Sequence, residues 1–428
     1  MIAPAAATPR EKRAIAAWCL FDFANSGYVT VIVTFVFATY FTQAIAPTPE
    51  LGTAWWGTAQ SLSALIIALV SPVVGAIADQ TGPRKPWVAA FTGVMAAATA
   101  LLWFAEPNAG FVLYALALVV IANVGFEVGQ VFYNAMLPGV AGPAAIGRVS
   151  GWAWGVGYLG GLLCLVAALF GLIQASPPPL GLNPDAAEPV RATALLVAAW
   201  VVVFALPLFL AVGDAPGRRI APLKAARDGL KQLAETFRSA RRQPNVMRFL
   251  VARMLYNDGV NTIFAFGGIY AAGTFGMEIG EVIQLGIALN VSAGLGAAAF
   301  GWIDDRVGSK RTIQAALVAI IGLGCVVLAA PDKTWFWAGA LALSAFFGPV
   351  QAASRTLMAR LSPPDARGEM FGLFAVTGKA ISFLGPLAVG WATAASGSQR
   401  WGLATVMIFF VAGFWLLRGV KEPAQGGG

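Results

Sequence analysis

Six ionisable side chains stand inside long apolar runs of this 428-residue sequence: Asp22, Glu127 and Asp258 are acidic, and Arg253, Arg355 and Lys379 are basic. An ionised group at the centre of a bilayer costs at least a few kcal/mol, so such residues face a polar cavity and pair. A carboxylate there accepts an ammonium or a proton, and a guanidinium or ammonium accepts a carboxylate. Taken together, the six offer both halves of a zwitterion-binding site. Burial and a nearby cation act in opposite directions on a carboxyl's hold on its proton, so Asp22, Glu127 or Asp258 is suited to carry a coupling proton.

Polar neighbours sharpen the set. Asp22 and Asn25, and again Asp258 and Asn261, are three apart and share a helix face, as do Glu127, Gln130 and Asn134 at steps of three and four. Ser344, Gln351 and Arg355 align at steps of seven and four. Lys379 lies about 17 Å of helix inside its run at 1.5 Å per residue, too deep to snorkel easily, and is the leading substrate contact. Arg253 and Arg355 are close to the inner ends of their runs, where snorkelling, a structural ion pair and substrate contact are all open. Trp152, Trp154 and Tyr158 either wall an aromatic pocket or pack between helices.

Composition and motifs exclude other chemistry. The chain has no histidine, and Cys19, Cys164 and Cys325 lie in apolar runs at no metal-ligand spacing, so no metal site, disulfide framework or imidazole base is expected. Gly155, Gly157 and Gly160 spell G-x-G-x-x-G, but in a lipid-length apolar run with no preceding strand, which suits close helix contact better than a dinucleotide. Gly372, Gly378 and Lys379 are spaced one residue too widely for a phosphate-binding loop, and Ala380 follows where Ser or Thr is required. No cofactor and no enzymatic activity are expected. The formal charge of +8 resides in short loops and one linker, which argues against a nucleic-acid partner.

The elements that must position these residues are membrane helices. With 58% apolar residues, 11% charged and a mean hydropathy of +0.73, the sequence is that of an integral membrane protein. Runs of crossing length fall at 14–45, 53–79, 86–104, 111–137, 146–172 and 191–212, then at 246–272, 279–303, 312–330, 334–360, 368–395 and 400–418. Residues 1–212 are expected to form one six-helix bundle and 246–428 another, joined by a linker at 213–245. Of the 28 Lys and Arg, 22 fall on one side of this layout, Arg191, Lys333 and Arg400 on the other, and Arg253, Arg355 and Lys379 within the runs. The positive-inside rule then places both termini and the linker in the cytoplasm. Leu223, Leu230, Leu233 and Phe237 among Lys224, Arg227, Lys231, Arg238, Arg241 and Arg242 suggest an amphipathic helix on the inner leaflet, either a regulatory site or, more plainly, a tether held to anionic lipid.

The two halves are related. Gly75-Ala-Ile-Ala-Asp79-Gln80-Thr-Gly82-Pro-Arg84-Lys85 recurs as Gly301-Trp-Ile-Asp-Asp305-Arg306-Val-Gly308-Ser-Lys310-Arg311, each at the close of the second run of its half. The first Gly permits close helix approach, the Asp ends the helix, and the Gly-basic turn reverses the chain at the headgroups. Asp79 and Asp305 are expected to fasten the cytoplasmic side by bonding a neighbouring helix N-terminus or a basic loop residue. In the fourth run Gln130, Asn134, Met136 and Leu137 precede Gly147-Arg148 and Gly151; in the tenth, Gln351, Arg355, Leu357 and Met358 precede Gly368-Glu369 and Gly372.

With these features the sequence resembles the major facilitator superfamily, and Trp18–Phe37, Gly147–Gly161, Ser354–Pro364 and Phe371–Pro386 resemble its vacuole-effluxer-like branch, which includes fungal vacuolar amino-acid effluxers. The resemblance spans nearly the whole chain. It implies an all-α polytopic fold of twelve transmembrane helices in two bundles, and a proton-coupled secondary transporter that works by alternating access. The expected cargo is a small polar or zwitterionic solute such as an amino acid, moved by a monomer, with export preferred. Gln80 stands where the superfamily often has a basic residue, whereas Arg306 is retained, so the first charge latch is expected to be the weaker. An exporter of larger amphipathic compounds and a non-transporting membrane sensor or assembly partner are the other readings left open.

Overall fold

The computed structural model describes residues 8–216, 224, 227–228, 231, 244–277, 279–378 and 380–423, without the side chains of 49, 50, 53, 54, 272, 279, 280, 283 and 394. Lys379 and most of the linker's amphipathic pattern lie outside the described residues. Among the described residues every regular element is helical. In chain order these are α1 (Pro9–Ile45), α2 (Pro49–Thr81), α3 (Lys85–Leu101), α4 (Val112–Val140), α5 (Ile146–Ala168) and α6 (Glu188–Ala211). They continue with α7 (Pro244–Phe275), α8 (Ile279–Val307), α9 (Ser309–Ala329), α10 (Lys333–Leu361), α11 (Arg367–Thr377), α12 (Leu384–Ser396) and α13 (Gln399–Arg418).

Among the described residues ten stretches are long and apolar enough to cross a membrane. The expected seventh and eleventh crossings are helical but fall outside that set. In α7, Arg248, Arg253 and Asp258 with three asparagines dilute the apolar run. The eleventh crossing is interrupted between α11 and α12: α11 ends at its cap residue Gly378, and Pro386 falls in the first turn of α12, where its missing N–H costs no helix bond.

Local sequence explains the other boundaries. Thr8 accepts the Glu11 N–H and Glu11 reaches back to Thr8, a capping box with Pro9 in the first turn. The β-branched run Val29–Thr34 is a poor α former, and α1 widens there to π winding over Tyr28–Phe35. Gly82 (φ 94°) and Gly308 (φ 92°) adopt the same left-handed turn in the two copies of the doubled motif, a conformation a side chain would strain.

Contacts divide the chain into two compact units. The first holds Met1–Val70, Gly82–Ala141 and Val156–Arg218. In it α3 packs on α4 and α6, and α1 on α6. Gly157, Gly160 and Gly161 bring α5 against the backbone of α1 at Asp22, Phe23 and Ser26, so the run that spelled G-x-G-x-x-G serves helix packing. Trp18 and Tyr133 stack at 4.4 Å and each donates to the other's carbonyl.

The second unit holds Arg219–Gly428 together with the helix ends Ser71–Thr81 and Gly142–Gly155. Here α7 packs on α13, α8 on α10, and α9 on α10 and α13. The duplication reappears as matched wiring. Arg191 at the start of α6 donates to the Trp103 carbonyl just beyond α3, and Arg400 at the start of α13 donates to the Leu328 and Ala330 carbonyls at the end of α9. Cations thus sit on corresponding helix C-termini, where the dipole favours them.

Candidate transport site and latches

The doubled motif works through its aspartates. At the end of α2, Asp79 accepts the backbone N–H groups of Gly368 and Glu369 in the first turn of α11, both at 2.9 Å. At the end of α8, Asp305 accepts the Gly147 N–H in the first turn of α5 at 2.8 Å, and its other oxygen stands 3.7 Å from Arg148 Nε. The motif copies therefore pair crosswise with the other repeated signature, Gly368-Glu369 and Gly147-Arg148. Each carboxylate supplies the negative charge that a helix N-terminus favours. The glycines make room: a Cβ on Gly75 would meet the Gly368 carbonyl carbon at 2.7 Å, and one on Gly301 the Arg148 Cα at 2.9 Å. All these bonds lie within the second unit.

The second latch carries more charge, though not through Arg306, whose side chain is exposed, as is that of Arg311. Its cations are Arg148 and Arg360. Arg360 reaches Asp304 at 3.1 Å, Glu422 at 2.8 Å, the Ser309 hydroxyl at 2.8 Å and Asp305 at 3.9 Å. Position 78, which corresponds to Asp304, is alanine, so the first copy has no such acid. Sequence reading missed Asp304 and Arg360.

It also missed two carboxylates that finish the basic turns. Asp214 accepts the Arg84 and Lys85 N–H groups, both at 2.9 Å, while Lys85 Nζ donates to the Phe209 carbonyl. In the other unit Glu422 accepts the Ser309 and Lys310 N–H groups at 2.8 and 2.9 Å, while Lys310 Nζ donates to the Arg418 carbonyl. The available signal was an acid a few residues after the last run of each half, with a proline close behind: Asp214 then Pro216, Glu422 then Pro423.

The intramembrane residues of α7 assemble around the interrupted crossing. Arg253 donates to the Phe374 carbonyl at 2.6 Å and the Thr377 hydroxyl at 2.8 Å, with its guanidinium 3.4 Å over the Phe374 ring. Asn257 donates to the Gly378 carbonyl at 3.4 Å and accepts from Gln351 at 3.0 Å. Asp258 accepts the Gly385 N–H at the start of α12 at 2.8 Å. A cation thus holds the C-terminal end of α11 and an anion the N-terminal end of α12, each in the sense the helix dipole favours. The residue is 2% exposed, and its second oxygen, Oδ1, has no hydrogen-bond partner among the described residues.

The remaining candidates are distributed differently. Arg355 turns to α5, donating to the Ser150 hydroxyl and carbonyl at 2.9 and 2.6 Å beside the Trp154 ring. Asn261 is exposed, and Asn257, one turn earlier on α7, is the asparagine that accepts from Gln351. In the first unit, Asp22 and Asn25 are buried on α1, with Asp22 beside Gly157. Glu127, Gln130 and Asn134 are half-buried along α4. One turn before Glu127, the buried Asn123 accepts from the Tyr28 hydroxyl at 2.8 Å and donates to Gln60 at 2.7 Å, a polar tie between α1, α2 and α4 that sequence reading passed over.

The family of the chain follows from residues 53–424, which match the model for vacuole effluxers of the Atg22-like kind. The chain belongs to the Atg22-like vacuole effluxer family. This Atg22-like chain is 28% identical to the Uncharacterized MFS-type transporter YxiO of Bacillus subtilis (strain 168) over 95% of each protein. It is 24% identical to Autophagy-related protein 22 of Yarrowia lipolytica (strain CLIB 122 / E 150), over 70% of this chain and 56% of that protein. Among solved structures it resembles the major facilitator transporter FucP in the outward conformation, with a TM-score of 0.74 at 17% identity over 96% of this chain and 99% of that one. It also resembles the human organic anion transporter MFSD10 (TETRAN), with a TM-score of 0.73 at 17% identity over 96% and 100%. The fold is that of the major facilitator superfamily, and this Atg22-like protein is an integral membrane secondary transporter, not an enzyme.

Proposed function

We propose that the protein exports a small zwitterionic metabolite, an amino acid or a close chemical relative, in exchange for protons by alternating access. The observation that carries this reading is the α7 cluster at the interrupted crossing: Arg253 and Asp258 present opposite charges about 1.4 helical turns apart, and Asp258 keeps a buried oxygen without a partner among the described residues. A carboxylate in that setting takes up a substrate ammonium or a proton. The basic side chains supply the complementary charge for a substrate carboxylate, with Arg253 and Lys379 as the groups involved.

In this reading residues 1–212 and 246–428 act as the two bundles of a monomer. Residues 213–245 tether them, both termini are cytoplasmic, and the protein works in a bacterial inner membrane. Asp22, Asn25, Glu127, Gln130 and Asn134 contribute from the first half, and Asn261 and Gln351, the latter bonded to Asn257, from the second. Arg355 braces the inner end of α5 through Ser150 rather than touching substrate. The Asp79 and Asp305 bonds fasten the cytoplasmic ends while the outer side is open, and their release accompanies inward opening.

Proteoliposomes loaded with a labelled panel of amino acids and small metabolites, with and without an imposed pH gradient, test the proposal. Gradient-driven flux of at least one zwitterion supports it. Flux of no zwitterion, or flux indifferent to the gradient in a protein that does transport, rejects the cargo or the coupling respectively.

A further inference from the structure

The corner where the first helix of each half meets the last is wired differently in the two repeats. In the second half it is stitched by protein groups. Asn245 at the start of α7 donates to the Lys421 carbonyl at 2.6 Å and accepts the Lys421 N–H, and Arg248 donates to the Gly419 carbonyl at 2.8 Å. In the first half the corresponding corner is an open groove of about 630 Å³, with Thr8, Pro9, Arg10 and Arg13 on one wall and Leu210–Gly213 on the other.

The charges of that groove are unbalanced. Glu11 is occupied by the Thr8 backbone and hydroxyl, and Asp214 by three backbone N–H groups, those of Arg84, Lys85 and Ala215. Lys85 Nζ is bonded to the Phe209 carbonyl. Arg10 and Arg13 are exposed and form no ion pair among the described residues. From the same groove an apolar stripe runs along α6: Leu210, Leu206 and Val203, at steps of four and three, are 76%, 52% and 59% exposed. Two cations without an ion pair among the described residues, at the end of a membrane helix and above an aliphatic track, match a molecule with an anionic head and a hydrocarbon tail.

We propose that this groove seats an anionic phospholipid, its headgroup phosphate held by Arg10 and Arg13 and an acyl chain lying along Leu210, Leu206 and Val203. The bound lipid supplies for α1 and α6 the tie that Asn245, Arg248 and the Gly419–Lys421 segment supply for α7 and α13. A water-soluble phosphate would use the cations but not the stripe. The site is independent of the transported solute.

Native mass spectrometry of the full chain released from nanodiscs of equal phosphatidylglycerol and phosphatidylcholine tests this. The expected result is retention of phosphatidylglycerol over phosphatidylcholine, reduced about thirtyfold in the Arg10→Gln/Arg13→Gln variant by the loss of two headgroup-level cations. Lys12→Gln removes the same kind of charge from the same helix turn outside the groove and is expected to retain phosphatidylglycerol as the parent does. Leu210→Asn leaves both cations in place and is expected to weaken retention severalfold. Millimolar inorganic phosphate is expected not to displace the lipid. Equal retention of the two lipids, equal loss in Lys12→Gln and Arg10→Gln/Arg13→Gln, or full displacement by phosphate would each overturn the proposal.

Discussion

The Asp79 carboxylate at the end of α2 takes the backbone N–H of Gly368 in the first turn of α11, at 2.9 Å. Asp305 repeats the relationship with Gly147 at the start of α5, but adds ion pairs with Arg148 and Arg360. The two latches share a geometry and differ in charge.

That difference predicts unequal responses to neutralisation. Asn keeps one acceptor but loses the charge, which weakens the remaining hydrogen bond by about 1 kcal/mol. At Asp79, whose two oxygens each accept an N–H, it also loses the second acceptor, so a change of roughly fivefold or more in a two-state equilibrium is expected. Asp79→Asn is expected to shift the resting conformation toward inward-open by about that factor. Asp305→Asn should shift it further, because Arg148 and Arg360 also lose a partner. Cysteine accessibility measured from both membrane sides reads the shift, and an unchanged pattern in Asp305→Asn removes the latch role.

The glycine contacts give a steric version of the same test. Gly301→Ala would press a methyl against the Arg148 Cα, and overpacking of this kind costs about 1–3 kcal/mol. It is expected to favour the inward-open state without removing any charge. Gly93→Ala is the control, because no atom lies within 4 Å of a Cβ built there. Equal accessibility in the two variants would show that the close approach at Gly301 is not part of the gate.

Asp258 separates a structural role from a coupling role. Asp258→Asn retains an acceptor for the Gly385 N–H and should fold, yet removes the exchangeable proton. Its transport is expected to lose dependence on the pH gradient while counterflow of unlabelled for labelled substrate persists. Asp258→Ala leaves the α12 N-terminus uncapped and is expected to cost about 1–3 kcal/mol, read as a lowered unfolding midpoint. Full gradient dependence in Asp258→Asn assigns the proton elsewhere.

The carboxylates that finish the basic turns differ in what surrounds them. Asp214→Ala removes a two-amide cap from an exposed turn and is expected to cost about 1 kcal/mol. Glu422→Ala also strips Arg360 of a partner at 2.8 Å in a largely buried cluster, so about 2–4 kcal/mol is expected. Thermal unfolding of the purified variants compares them, and a smaller effect for Glu422→Ala contradicts the reading of the cluster.

Much of this was legible in the residues themselves. Apolar runs long enough to cross hydrocarbon give the helices, because each crossing must satisfy its own backbone hydrogen bonds. The repeated Gly-x-x-x-Asp-x-x-Gly spacing gives the latch, because a left-handed turn needs glycine and a helix end favours an acid. The chain's membership of a transporter family follows from the same signals. Tertiary structure decided the partners: that Asp79 meets Gly368 and Asp305 meets Gly147, that Asn257 bonds Gln351, that Arg355 turns to Ser150, and that Asp214 and Glu422 cap the basic turns. Those pairings join residues tens to hundreds of positions apart. Sequence periodicity records which face of a helix a side chain occupies, but the partner opposite that face is chosen by how separate helices pack.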